Sequence, residues 1–155
     1  MQRKNLFNAI SEHIATVVNA IRVIRTPDFQ RMPKNSLYSD TKSAIDTIAF
    51  FCIYKEHVMN VVEHNGIIVL SAACLASSML DVVLSCSKAF LCISSAQGGV
   101  YNDHILQGGG LKGLLHGIKL GMMKGVSDII HIAIQCIKSL TTSTVCPLYL
   151  FLFLK

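Results

Sequence analysis

The sequence predicts an all-α fold, and more specifically an antiparallel four-helix bundle with a long central apolar helix. Two observations support this prediction. Proline, which breaks helices, is absent between Pro33 and Pro147, and the apolar residues of that interval recur at helical rather than alternating spacing. The chain has 155 residues, 52% of them hydrophobic, which suffices for one buried core. We expect residues 1–140 to form the bundle and residues 141–155 to form a linker and a short hydrophobic C-terminal tail.

The first two predicted helices cover residues 5–24 and residues 41–63. The first is amphipathic, because its apolar residues share one face. Those residues are Leu6, Ile10, Ile14, Val17, Ile21 and Ile24. The segment 26–40 contains both early prolines and is predicted as a loop. Helix two is expected to end at the His-Asn-Gly sequence 64–66, whose residues favour the left-handed conformation that closes helices.

The third predicted helix, residues 67–95, is apolar nearly all round. Its polar residues form one narrow seam: Ser71, Ser78, Asp81, Ser85 and Lys88. A helix with so little polar surface is central in a bundle or lies against lipid. The uncharged run 67–80 is shorter than a membrane span requires, so we favour the central position in a bundle.

The fourth predicted helix, residues 111–140, follows a glycine-rich loop, 95–110. Five glycines lie at intervals of four residues, beginning just before this helix and continuing along it: Gly109, Gly113, Gly117, Gly121 and Gly125. A glycine inside a helix costs about 1 kcal/mol relative to alanine. Close packing against another helix would offset these losses, so we expect all five glycines to be helix-packing positions.

Helix four is also predicted to be amphipathic and basic. Its expected apolar face consists of Leu111, Leu115, Ile118, Met122, Val126, Ile129, Ala133, Cys136 and Leu140. The other side carries the lysines that we expect to contact lipid or an acidic surface: Lys112, Lys119, Lys124 and Lys138. Five lysines and only one acid, Asp128, follow His104, which gives this segment a net charge of +4. The stretch 111–125 resembles a cationic amphipathic membrane peptide.

Six cysteines are scattered along the chain without a CxxC pair or the spacing of a metal site. Most of them lie in apolar helical runs, where cysteine behaves as a small hydrophobic residue. The chain begins with polar residues rather than with the apolar run of a signal peptide. We therefore predict free thiols and a cytoplasmic location.

No pattern in the sequence predicts a reaction. His57 and His64 lie seven residues apart, but without further ligands they indicate a polar helix flank rather than a metal pair. The three glycines 108–110 lack the preceding strand and the GK[ST] ending of a phosphate-binding loop. We expect no catalytic residues, no cofactor and no metal. The absence of tryptophan argues against binding of single-stranded nucleic acid.

The segment LSAACLASSMLDVVLSCSKAFLCISS, residues 70–95, resembles the Ala/Ser-rich helices of vinculin- and talin-type bundles. The spacing of helices one to three is also similar to that of the focal-adhesion-targeting bundle at the C-terminus of GIT-type scaffold proteins. The resemblance covers about residues 7–95 and implies a bundle that binds a short amphipathic helix in an inter-helix groove. The glycines of helix four depart from that pattern, and no site residues are carried over.

These observations give two functional expectations. The first is a non-enzymatic scaffold or adaptor module that binds an amphipathic helix of a protein partner. The alternative is a membrane-associated protein, peripheral to a bilayer, that engages anionic lipid through the basic helix 111–140. An enzyme ranks third, and the sequence leaves open whether the chain forms a homo-oligomer.

Overall fold

The computed structural model describes residue 5, residues 8–15 and residues 34–142, with side chains from residue 42 onward in the last range. These residues are almost entirely helical and contain no strand, which confirms the predicted all-α class. Three predicted features lie outside the described residues. They are the continuation of helix one to residue 24, the loop up to residue 33, and the tail from residue 143.

Eight helices occur in the described part of the chain. They are α1, which includes residues 8–15, α2 (Lys34–Ile53), α3 (Lys55–Glu63), α4 (Gly66–Ala76), α5 (Leu80–Ser95), α6 (Asn102–Gln107), α7 (Gly110–Lys124) and α8 (Ser127–Thr142). A 3-10 turn, Ala96–Gly98, follows α5. Helix α2 therefore begins within the segment that was predicted as a loop.

Each of the last three predicted helices is divided in two. Helix two is interrupted at Tyr54, whose backbone is extended. Helix three is interrupted at residues 77–79, and helix four at Gly125. A left-handed Asn65, with φ of 59°, separates α3 from α4, and their axes meet at 79°. An antiparallel four-helix bundle is therefore not confirmed.

Helices α2 and α5 pack side by side and run parallel. Ser85 Oγ donates a hydrogen bond to the carboxylate of Asp46, 39 residues earlier. The carboxylate of Asp81 attracts the ammonium group of Lys42, and these two residues are also 39 positions apart in the sequence. Because the residue numbers of both partners rise together, the two helices point in one direction.

Helices α4 and α7 repeat this relation. Cys74 Sγ donates to the carbonyl oxygen of Gly113 at 3.2 Å, and His116 Nε2 lies 3.1 Å from the carbonyl oxygen of Ser77. Both pairs are again 39 residues apart. The unit α2–α3–α4 is thus followed by a similar unit, α5–α6–α7, which stacks beside it. Stacking of this kind lets each helical unit bury the apolar face of its neighbour.

Helix α8 extends the layer that contains α2 and α5. Near one end, Ser139 Oγ donates to the carbonyl oxygen of Ser94 at 3.3 Å. Near the other end, Val83 and Ile129 both lie next to Gly117. Helix α8 therefore runs parallel to α5. The result is two layers, α2–α5–α8 and α4–α7, joined by the short helices α3 and α6.

Helix α5 is the central helix, since it packs against α2, α4, α7 and α8. The largest of its fully buried side chains is Phe90, while Leu80 and Leu84 are only half-buried. Within the described residues, Leu80–Gly98 is the one helical stretch long and apolar enough to cross a membrane. In the folded protein 56% of this stretch is buried, as is usual for a core helix. The bent pair α3–α4 would supply a second such stretch.

The described cysteines are unpaired thiols, four of them buried: Cys52, Cys74, Cys86 and Cys136, with Cys92 half-buried. Burial raises the pKa of the Cys52 thiol to about 12. Burial likewise raises the pKa of Cys136 to about 12, although a hydrogen bond to Ser94 opposes it. These thiols act as small core side chains, because a thiolate is disfavoured in apolar surroundings.

We expect Phe90→Ala to lower the free energy of unfolding by about 3–5 kcal/mol, because it leaves a cavity at the centre of the core. Leu84→Ala, on the same helix but at a half-buried position, should cost less than about 2 kcal/mol. Urea denaturation followed by circular dichroism measures both. Equal costs for the two variants would contradict the central position of α5.

We expect stability to fall as the pH rises above about 9. An ordinary cysteine thiol has a pKa of 9.0, whereas the buried thiols of Cys52 and Cys136 have a pKa of about 12 in the folded protein. Above pH 9 the unfolded chain therefore binds fewer protons than the folded one, so folding becomes less favourable with rising pH. The urea midpoint should drop between pH 8 and 10.5, and less steeply in Cys52→Ala/Cys136→Ala. Equal slopes for the two proteins would refute this assignment.

Candidate binding surface on helices α4 and α7

Three glycines of the predicted register are buried within α7: Gly113, Gly117 and Gly121. A Cβ atom at the first would lie 3.4 Å from Cys74 Cβ on α4. At the second it would lie 3.2 Å from Val83 Cγ1 on α5, and at the third 2.9 Å from Ile130 Cγ1 on α8. Each glycine therefore faces a different helix.

The other two glycines are the caps of α7. Gly109 and Gly125 have φ angles of 82° and 69°, in the left-handed region that favours glycine. The N–H of Val126 donates to the carbonyl oxygen of Gly121 at 2.9 Å, a bond typical of a glycine-terminated helix. No described atom lies within 4 Å of the point that a Cβ at Gly125 would occupy. The packing role predicted for Gly125 is corrected to a conformational one, and the predicted continuous helix ends there.

Small side chains line the contact between α4 and α7. The Sγ of Cys74 reaches the backbone of Gly113 directly. One turn earlier, a Cβ at Gly109 would lie 3.8 Å from Ser71 Cβ. Small residues at a helix contact let two backbones approach closely. The outward sides of the two helices therefore lie next to each other.

These outward sides carry exposed apolar and basic side chains, which we call the outer face: Ile68, Leu75, Lys112, Leu115, Lys119 and Met122. Met122 is 70% exposed and Ile68 is 55% exposed, which is high for large apolar side chains. The four positions on α7 follow spacings of three, four and three residues, so they form one row along the helix.

The apolar face predicted for helix four is wrong for part of α7. Leu115 and Met122 were expected in the core, but the buried leucines of α7 are Leu111, Leu114 and Leu120. The predicted face is right for α8, where Ile129, Ala133, Cys136 and Leu140 are buried. The backbone turns at Gly125, so one helical register cannot describe both halves.

The charge of the outer face is entirely positive. Neither α4 nor α7 contains an acidic residue. Lys112 and Lys119 are exposed on the row, and Lys124 is exposed at the end of α7 beside Met123, which is itself 70% exposed. Lys138 is also exposed, but it lies on α8 in the other layer. The structure thus places two of the four predicted lysines, Lys112 and Lys119, on the outer face, whereas Lys124, which follows Gly117 and Gly121 at helical spacing, lies on the glycine side at the end of α7.

A small cavity of about 130 Å³ opens beside this row, between α6 and α7. Its lining is mostly apolar and consists of Leu106, Gln107, Gly109, Leu111, Lys112 and Leu115. Because Lys112 and Leu115 belong to both features, the cavity is continuous with the outer face. It is large enough to receive one apolar group.

Within the described residues, the histidine pair and the three glycines 108–110 do not come together with further side chains that could act as ligands. His57 packs its ring 6.2 Å from that of Phe51, and His64 Nδ1 lies 2.6 Å from the carbonyl oxygen of Asn60. No group of three or more His, Cys, Asp or Glu side chains that could hold a metal occurs in the described part of the chain. Gly108 and Gly109 form the turn into α7, which begins at Gly110, and Ile67 packs against Gly108.

Comparison of the chain with protein-family models, with curated proteins and with solved structures gives no match. The resemblance to vinculin- and talin-type bundles and to the focal-adhesion-targeting bundle therefore stays a prediction from pattern alone. The function has to be argued from the surface itself.

Gly117→Leu should lower the free energy of unfolding by about 1–3 kcal/mol, because the added side chain would overpack the space between α5 and α8. Gly113→Ala is the control, since its Cβ would meet Cys74 at an ordinary contact distance of 3.4 Å. It should be neutral or stabilising by up to about 1 kcal/mol through improved helix propensity. Thermal and urea unfolding measure both. An unchanged stability of Gly117→Leu would disprove the close packing of α7.

Proposed function

We propose that this protein is a non-enzymatic, peripheral membrane-binding module whose outer face binds anionic lipid. The observation that supports the proposal is the row on α7, where exposed lysines alternate with exposed Leu115 and Met122 and no acid intervenes. A helix that lies in a bilayer interface needs this combination of apolar side chains and flanking cations. The proposal places the protein at the cytoplasmic leaflet, which is the anionic one.

Both components of the outer face would contribute to membrane affinity. Transfer of a large apolar side chain from water is favourable by about 1.5–3 kcal/mol when burial is complete. Met122 is mostly exposed in the protein and would lose most of that contact with water at a bilayer. Lysines near an anionic leaflet add about 1 kcal/mol each, and their long stems let the ammonium groups stay at the headgroups.

The shape of the surface also favours lipid over a partner helix. A partner helix needs a groove between two helices, in which its apolar side chains are inserted. Small residues hold α4 and α7 close together, because only the Cys74 side chain separates the α4 backbone from Gly113. A close contact of this kind leaves little space between α4 and α7 for a third helix, whereas the exposed apolar side chains of the outer face can lie on a bilayer.

The second candidate is the scaffold function, with an acidic amphipathic helix as the partner. The stacking of two similar helical units supports it, because stacked units offer extended surfaces for protein binding. The exposed methionines are consistent with it as well, since methionine adapts to differently shaped partners. Both candidates use the same outer face, so one set of variants tests them together.

The purified protein should sediment with vesicles of phosphatidylcholine and phosphatidylserine, but not with vesicles of phosphatidylcholine alone. Lys112→Gln/Lys119→Gln should weaken this binding about 30-fold, as expected when two lysines near an anionic leaflet are lost. Leu115→Ser/Met122→Ser should weaken it as well, including at high salt, where the electrostatic attraction is screened. Co-sedimentation at several lipid concentrations gives the affinities.

The matched control is Lys55→Gln/Lys88→Gln, which removes the same charge from exposed positions outside the outer face. Its vesicle affinity should stay within about threefold of the wild-type value. An equal loss in both double variants would mean that net charge alone drives binding. Absence of vesicle binding, together with binding of a synthetic acidic amphipathic peptide that depends on Lys112 and Lys119, would replace the membrane function by the scaffold function.

A further inference from the structure

The cavity between α6 and α7 can be entered from solvent and reaches toward the core. Two of the residues that line it, Leu106 and Leu111, are only 7% and 6% exposed. Three others, Gln107, Lys112 and Leu115, are exposed. A dissolved molecule can therefore pass the exposed residues, which form the mouth of the cavity, and contact the two buried leucines.

The size and the lining of the cavity suit a short aliphatic segment. Its volume is about 130 Å³, and Leu106, Leu111 and Leu115 supply most of its surface. An apolar cavity of about 150 Å³ in another protein holds benzene, a molecule of roughly six carbons. Transfer of hydrocarbon from water to such a surface is favourable. The cavity therefore fits an aliphatic segment of about six carbons.

The mouth of the cavity carries a positive charge and no negative one. Lys112 is the one charged residue among those that line it. Helix α7 contains no acid. The acid of α6, Asp103, lies in the first turn of that helix, whereas the cavity lies at its last two residues. A positive charge without a neighbouring acid attracts anions to the mouth.

Gln107 adds hydrogen-bond donors to this mouth. Its side chain is exposed and lines the cavity together with that of Lys112. A glutamine amide offers two N–H donors and a lysine ammonium group offers three, and a carboxylate accepts from both. The two polar side chains thus match a carboxylate group attached to the aliphatic segment.

The small volume selects a ligand with one chain. A lipid with two acyl chains would leave the second chain outside the cavity, in contact with water. A fatty acid has one chain and one carboxylate, so both of its parts find a matching surface here. Aliphatic alcohols would lose the contact with the lysine charge, and aliphatic amines would be repelled by it.

We propose that this cavity binds a monomeric fatty acid, whose chain lies against Leu106, Leu111 and Leu115 and whose carboxylate pairs with the ammonium group of Lys112. The site shares Lys112 and Leu115 with the outer face. It takes a dissolved molecule, however, and does not rest on the proposed membrane function.

The test is a titration of the full-length, ¹⁵N-labelled protein with linear carboxylates, kept below the concentrations at which they aggregate. The amide signals of Gln107, Gly109 and Leu111 should shift saturably with hexanoate. Hexanoate should bind about tenfold more tightly than butanoate, because two more methylene groups are buried. From octanoate to decanoate the affinity should rise less than about threefold, because the added carbons lie beyond the cavity.

Two variants at exposed positions test the charge without disturbing the core. Lys112→Gln should weaken hexanoate binding about three- to fivefold, as the loss of an exposed ion pair does, and should leave binding of 1-hexanol unchanged. Gln107→Glu should also weaken hexanoate binding, because it places a like charge at the mouth. The matched control is Gln135→Glu, which makes the same change at an exposed position on α8 and should alter neither affinity.

An affinity that keeps rising about tenfold for every two methylene groups would overturn the cavity site, since an open apolar surface has no such limit. Equal binding of hexanoate and 1-hexanol, unaffected by Lys112→Gln, would overturn the carboxylate contact. Vesicle binding by a protein that shows no saturable shifts with hexanoate would overturn this site alone. Saturable hexanoate binding without vesicle binding would support this site and overturn the membrane function alone.

Discussion

Helix α7 lies against three other helices at once, and it can do so because its inward positions have no side chains. Gly113, Gly117 and Gly121 bring it close to α4, α5 and α8 in turn. Larger residues would push α7 away from at least one neighbour, since atoms of the neighbouring helices already lie at or inside ordinary contact distance of the points that Cβ atoms would occupy. The favourable packing on three sides offsets the low helix propensity of these glycines.

The same contacts decide what α7 presents to solvent. When the glycine side turns inward, Lys112, Leu115, Lys119 and Met122 must turn outward, because they lie on the opposite side of the helix. The parallel packing of α4 then adds Ile68 to the same surface. The lipid-binding function that we propose thus follows from the packing of the core.

Several features of the fold could be predicted from the sequence because they depend on local pattern. Apolar spacing and the absence of proline predicted the helices, and the buried residues of α8 agree with the predicted face. The end of α7 at Gly125 also had a local sequence signal. Gly125 follows a lysine, as is typical of a helix end, and Ser127 and Asp128 after it are typical of the start of a new helix. The regular spacing of four residues obscured this signal. It suggested that all five glycines pack against other helices, whereas three of them do so and two are helix caps.

The sequence by itself determined the all-α class, the central position of the apolar segment that contains α5, and the basic character of the C-terminal third. These properties follow from composition and from the period of 3.6 residues. Only the tertiary structure decided the break at residues 77–79, which contains neither glycine nor proline, and the parallel stacking at an offset of 39 residues. It also decided which side of α7 is buried. Contacts between distant residues control these features, and periodicity within one helix does not encode which neighbour will cover it.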